Sequence, residues 1–157
     1  MEVDIGKRFF DKLEGMGKAC LDSSIFIYHL EDIYPYSILT YRLMKMIAAG
    51  EIRSIMSVLT VAELFAKPYK LRDEKRILLF EEFIQSLPNN YIQDVDYEIA
   101  KKGALLRAEY NLRTPDAILL ATALIGHSDC FISNDLNLKK TDIKGVSILI
   151  LEEFFED

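Results

Sequence analysis

The sequence predicts an α/β fold in which helices cover both faces of a short, mostly parallel central sheet of four to five strands. Three observations lead there. Short apolar runs at 18–21, 52–57, 91–94, 129–133 and 146–150 have strand length rather than helix length. Longer segments with apolar residues three and four apart separate them, so strands alternate with helices. Half of the 157 residues are hydrophobic, enough for one core and about one domain.

In chain order, Ile5, Phe9, Leu13 and Met16 lie at helical spacing before Gly17, giving an amphipathic helix able to pack on the domain or on a second subunit. The strand Lys18-Ala-Cys-Leu ends at Asp22-Ser23-Ser24, which are capping residues for a helix over 25–30. Leu39, Leu43, Met46 and Ile47 form one stripe between Pro35 and Gly50, the next helix. After a strand at 52–57, residues 58–66 read as helix and Pro68 as its stop. A longer helix over 73–87 carries Phe80, Phe83, Ile84 and Leu87 on one face. Following the short strand at 91–94, Asp96 can cap a helix with the stripe Ile99, Gly103, Leu106 and Tyr110.

Thr114 to Gly126 reads as a helix with both ends marked: Thr114 as N-cap, Pro115 at the first helical position, Gly126 at the end. Ala117 to Leu120 and Ala123 to Ile125 make it apolar on nearly every side, the pattern of a buried helix, and it carries Asp116 into the protein. The strand at 129–133 leads into the turn-like cluster Asn134-Asp135-Leu136-Asn137, and a last strand at 146–150 precedes an acidic tail.

A formal net charge of −6 excludes the overall basic footprint of most nucleic-acid binders, so such a role must rest on local basic patches or a bound cation. Cys20 and Cys130 form no disulfide framework and have no metal-ligand spacing; they read as buried thiols in a reducing compartment. With no secretory signal and no membrane-spanning run, the expected location is cytoplasmic and away from membranes. His29 and His127 lie beside apolar helices without a ligand partner and read as core-edge or surface residues.

In parallel α/β sheets, sites form outside the C-terminal ends of the strands. That rule singles out Asp22 after the first strand, Glu63 shortly after the second, Asp116 opening the helix before the fourth, and Asp135 after the fourth. Each has an ordinary alternative: N-cap, helix surface, first-turn acid, turn residue. Together they are harder to explain structurally, since each like-charge pair about 4 Å apart costs roughly 1 kcal/mol in water and about 4 at an intermediate dielectric. Such a cluster needs a cation, and hard oxygen donors without His or Cys favour Mg²⁺ or Mn²⁺. Lys67, Lys70 and Arg72 after the Glu63 helix, with Arg113, Lys139 and Lys140 beside the other motifs, read by default as a solvated face, placed where a phosphate backbone could meet them.

These residues resemble the PIN-domain family, specifically VapC-type toxin ribonucleases. The resemblance is carried by Asp22-Ser23-Ser24, Thr60-Val-Ala-Glu63-Leu, Pro115-Asp116-Ala with Ala121-Thr-Ala, and Ser133-Asn134-Asp135, over about residues 18–151. It implies a three-layer α/β/α PIN-like domain at 18–157 behind a helical extension at 1–17. It also implies a metal-dependent endoribonuclease in which Asp22, Glu63, Asp116 and Asp135 hold one or two Mg²⁺ or Mn²⁺ ions and water attacks the phosphodiester. Ser24, Ser133 and Asn134 stand at supporting polar positions, and the implied partners are an RNA substrate, an antitoxin protein and a second copy in a homodimer. Asn137 and Leu138 depart from the pattern, standing where the last motif often continues with a second Asp and an aromatic residue. Two other readings use the same residues: a nuclease for RNA processing or DNA flaps, and a non-catalytic PIN-like module that binds RNA or protein.

Overall fold

Five parallel strands form one sheet in the computed structural model, which describes residues 4–156. The strands are β1 (Lys18–Leu21), β2 (Arg53–Ser57), β3 (Asn90–Gln93), β4 (Cys130–Ser133) and β5 (Ser147–Ile150), in spatial order β3-β2-β1-β4-β5. Among the described residues seven helices accompany them: α1 (Lys7–Leu13), α2 (Ser23–Leu30), α3 (Tyr36–Ala48), α4 (Val58–Lys70), α5 (Glu74–Ser86), α6 (Tyr97–Tyr110) and α7 (Thr114–Ile125). Single 3₁₀ turns follow β4 (Leu136–Leu138) and β5 (Leu151–Phe154).

Alternation along the strands divides the core in two, because successive side chains point to opposite faces. Ala19, Leu21, Met56, Cys130, Ile132 and Leu149 face one cluster, completed by α1 to α5 through residues such as Phe9, Ile25, Leu43, Leu64 and Phe80. Cys20, Ile55, Phe131 and Ile150 face the other, completed by α6 and α7 through Ile99, Leu106, Ala117 and Leu120. The result is the three-layer α/β/α arrangement expected from the alternating strands and helices.

The extension expected at 1–17 contains α1, whose Phe9 and Leu13 are buried in the first cluster, with Phe9 edge-on to Phe154 at 5.2 Å. Its first three residues, and the last residue of the acidic tail, lie outside the described residues. Both cysteines are buried free thiols. Burial raises the Cys20 thiol, beyond the range where it could ionise, and pushes Cys130 up to about 12. Among the described residues, no helix is long and apolar enough to cross a membrane.

Some helix boundaries differ from expectation, and α2 starts at Ser23 rather than at 25. Pro68 does not stop α4, which runs on to Lys70; the ring is buried, and only one intrahelical bond is forgone so close to the helix end. Helix α7 begins one residue early, with Arg113 rather than Thr114 as its N-cap and without a side-chain capping bond. Asp96 caps α6 as expected, its carboxylate accepting from Ile99 N at 2.8 Å, and Asp73 caps α5 in the same way through Arg76 N at 3.1 Å.

Candidate active site

The chain runs from β1 outward to β2 and β3, then returns to lay β4 and β5 on the other side of β1. The strand order therefore reverses between β1 and β4, and the crevice beyond their C-terminal ends is where such sheets bind ligands. Asp22 sits there as the N-cap of α2, its backbone N–H donating to Ile132 O at 3.0 Å. Asp135 leaves the end of β4 and caps the following 3₁₀ turn through Asn137 N at 3.0 Å. Glu63 comes from α4, which starts directly after β2 with Ser57 as its cap. Asp116 lies in the first turn of α7. Three of the four acids thus sit at helix starts, where exposed amides and the helix dipole favour a negative charge.

Two serines tie the acids together. Ser133 donates from Oγ to Asp22 Oδ2 at 2.6 Å, a short charge-assisted bond, and accepts from Asp135 N at 3.0 Å. Ser23 N donates to Asp22 Oδ1 at 2.7 Å, and Ser23 Oγ stands 3.4 Å from both Asp22 Oδ1 and Glu63 Oε2. Position 24 was the expected supporting serine, but it is Ser23 that links Asp22 to Glu63. Ser24 Oγ is buried with no hydrogen-bond partner among the described residues. Both serines follow an N-capping Asp, and which of them turns toward Glu63 depends on how α2 lies against α4.

The acids sense one another. Burial raises the Asp22 carboxyl pKa and the charge of Asp135 adds to the rise, against the lowering effect of the Ser133 and Ser23 bonds. Glu63 is an exposed residue, yet partial desolvation of its carboxyl raises its pKa, followed by the charges of Asp22 and Asp116. Burial and neighbouring charge thus both disfavour the ionised forms of Asp22 and Glu63.

A cation of another kind is present. Arg113 Nε lies 3.1 Å from Asp116 Oδ2, and its second arm reaches 3.5 Å from Asp135 Oδ2. Among the described residues, no three of His, Cys, Asp and Glu are grouped as an ion would require with the side chains as they stand. The donors nevertheless fit Mg²⁺ or Mn²⁺ in kind: they are hard carboxylate oxygens, and a guanidinium already bridges two of them.

The other candidates separate clearly. Arg113 is the basic candidate that contacts the acids; Lys139 instead pairs with Glu156 at 3.3 Å. Lys67, Lys70, Arg72 and Lys140 are exposed, with Lys67 one turn beyond Glu63 on α4. Asn134 is fully engaged in the frame, donating to Tyr28 Oη at 3.1 Å and accepting from Glu152 N at 2.8 Å. Tyr28 stacks on Tyr36 at 4.6 Å, and Tyr36 Oη donates to Glu152 Oε2 at 2.5 Å. No sequence pattern joins 28, 36, 134 and 152; only the fold does. Leu138, at one departing position, is buried in the second core cluster. His29 is half-buried between Tyr41 and Phe83, and burial lowers its pKa.

Comparison with known proteins agrees with this architecture. The family model described as PIN domain matches residues 19–144. No curated protein matches the chain in sequence. Among solved structures, VapBC from Salmonella typhimurium bound to DNA is similar at 22% identity and TM-score 0.68, covering 87% of this chain and 99% of that one. VapBC2 from Rickettsia felis, bound to a DNA fragment from its promoter, is similar at 18% identity and TM-score 0.67, covering 83% of this chain and 96% of that one. A toxin–antitoxin complex from Klebsiella pneumoniae is similar at 26% identity and TM-score 0.59, covering 82% and 94%.

Proposed function

The chain belongs to the PIN-domain family, and from that premise we propose that it is a Mg²⁺- or Mn²⁺-dependent endoribonuclease of the VapC type, the toxin of a toxin–antitoxin pair. The observation that carries the proposal is the linkage of the candidate acids at the strand-order reversal: Ser133 and Ser23 join Asp22 to Asp135 and Glu63, and Arg113 joins Asp116 to Asp135. Acids that repel one another at a crevice, with hard oxygens and no His or Cys, suit a divalent ion that also takes phosphate oxygens as ligands. The solved toxin–antitoxin complexes of the same fold support the toxin assignment.

In this reading Asp22, Glu63, Asp116 and Asp135 hold the ion or ions. When bound, the metal supplies a water of lowered pKa and offsets the charge that develops on phosphorus. The chain's own residues do the rest. Ser133 fixes the Asp22 carboxylate while its Oγ holds the Asp135 backbone, so the β1 and β4 acids keep one spacing. Ser23 does the same between Asp22 and Glu63. Lys67, Lys70, Arg72, Arg113 and Lys140 surround an RNA backbone as exposed cations, giving salt-sensitive affinity without base readout. An antitoxin and a second copy of this chain are the protein partners; exposed apolar side chains such as Tyr41 on α3 and Leu78 on α5 offer surface for them.

The test is cleavage of single-stranded RNA by purified protein with Mg²⁺ or Mn²⁺, with products carrying 5′-phosphate and 3′-hydroxyl ends. Asp116→Asn should lower the rate on the order of a hundredfold or more, and EDTA should abolish it. Equal cleavage by the variant, or cleavage of branched DNA in preference to RNA, defeats the assignment. One observation favours a second reading, a non-catalytic module: Arg113 already pairs with two of the acids. That reading requires that calorimetry detect no Mn²⁺ uptake.

A further inference from the structure

Arg113 is the N-cap residue of α7, so its backbone is anchored at the rim of the crevice. Its side chain is 71% exposed and makes no capping bond, so the guanidinium can leave without disturbing the core. Its two arms go to different acids: Asp116 on α7 and Asp135 beyond β4, whose side chains are 14% and 26% exposed. A planar fork can span two carboxylates in this way, whereas an ammonium is a single point charge.

We infer that Arg113 is a resident cation of the candidate site: its guanidinium takes the place between Asp116 and Asp135 that a divalent ion needs, and the ion must displace it to enter. The inference rests on the proposed metal site and adds what sets its affinity. In the metal-free protein the arginine relieves the repulsion between two acids and holds this corner together. When a divalent ion takes over both carboxylates, that service is redundant, and the freed guanidinium stays tethered at the rim, where an anionic backbone would arrive. Arg113 is a positioning residue in this scheme, acting through the two acids.

A role of this kind moves two readouts in opposite directions, which a merely structural role does not. Arg113→Gln should melt lower than the parent in EDTA, having lost the bridge. The same variant should bind Mn²⁺ more tightly in calorimetry by about three- to tenfold, the modest range expected for exposed ion pairs. Arg113→Lys keeps the charge but loses the two-armed reach, and should fall between parent and Gln variant. In the parent, the ¹⁵N-resolved Nε–H resonance of Arg113 should move to its solvent-exposed position as Mg²⁺ is titrated in. An unmoved Nε–H signal at saturating Mg²⁺, or Mn²⁺ affinity unchanged or weakened in Arg113→Gln, overturns the inference while leaving the metal site standing. Absence of Mn²⁺ binding in parent and variants alike overturns both. Uptake seen only once the arginine is removed supports the inference in its strongest form.

Discussion

Replacing Asp22 with Asn removes one charge and almost no volume, at the residue where the site's repulsion and desolvation meet. The N-cap role survives, because Asn and Asp cap about equally well and Ser23 N keeps its acceptor. The bond from Ser133 changes from charge-assisted to neutral, a loss of about 1 kcal/mol. Against this, one like-charge interaction at close range is worth roughly 1 kcal/mol in water and about 4 at intermediate dielectric, and Asp22 has both Asp135 and Glu63 as neighbours. The balance favours the variant by about 1 kcal/mol in the absence of metal, or about 2–4 °C in melting temperature for a chain of this size.

The dependence on pH has a definite sign. The folded-state pKa of Asp22 is raised above its ordinary 3.8, so the folded protein binds the proton more tightly than the unfolded chain. The parent therefore loses stability as pH rises from that ordinary value through the raised one, and the variant, lacking this carboxyl, does not share the loss. Thermal melts in EDTA should show Asp22→Asn above the parent at pH 7 and level with it below pH 3.8. Saturating Mg²⁺ should reverse the order, since ligand at about a hundred times its dissociation constant adds roughly 2.7 kcal/mol to the protein that binds it. A variant that melts below the parent at pH 7 in EDTA, or that gains as much from Mg²⁺, would refute the account of Asp22 as a repelled metal ligand.

Two further substitutions probe the frame. Asn134→Ala leaves Tyr28 Oη and Glu152 N without their partner and should cost about 2 kcal/mol in urea unfolding; a loss below about 0.5 would mean water replaces the amide. Leu120→Ala, at a fully buried position of α7, should cost about 2–5 kcal/mol by the same measurement, and a smaller loss would show that the second core cluster collapses around the gap.

Much of this protein follows from local rules, and those parts are visible in the sequence. The strand runs are short, apolar and separated by helix-length segments, so the parallel three-layer class needs no tertiary information. Asp96 sits at the start of a periodic segment and caps it, because the acceptor and the amide it serves are three residues apart. The four candidate acids can be picked out in the same way, since the ends of parallel strands can be ranked along the chain. Pro68 misled because local preference yields to burial close to a helix end.

What tertiary structure alone decided are relations across long stretches of chain. Ser23 rather than Ser24 meets Glu63, 40 residues away, because of how α2 lies on α4. Asn134 ties Tyr28 to Glu152, residues 106 and 18 positions away. Arg113, read in sequence as one of six backbone-contacting cations, bridges Asp116 and Asp135, a pairing with an acid 22 positions downstream. The physical reason is common to all three. Backbone propensity and hydrophobic period are set by near neighbours, whereas the partner of a charge or a hydroxyl is chosen by the fold that brings distant segments to one edge.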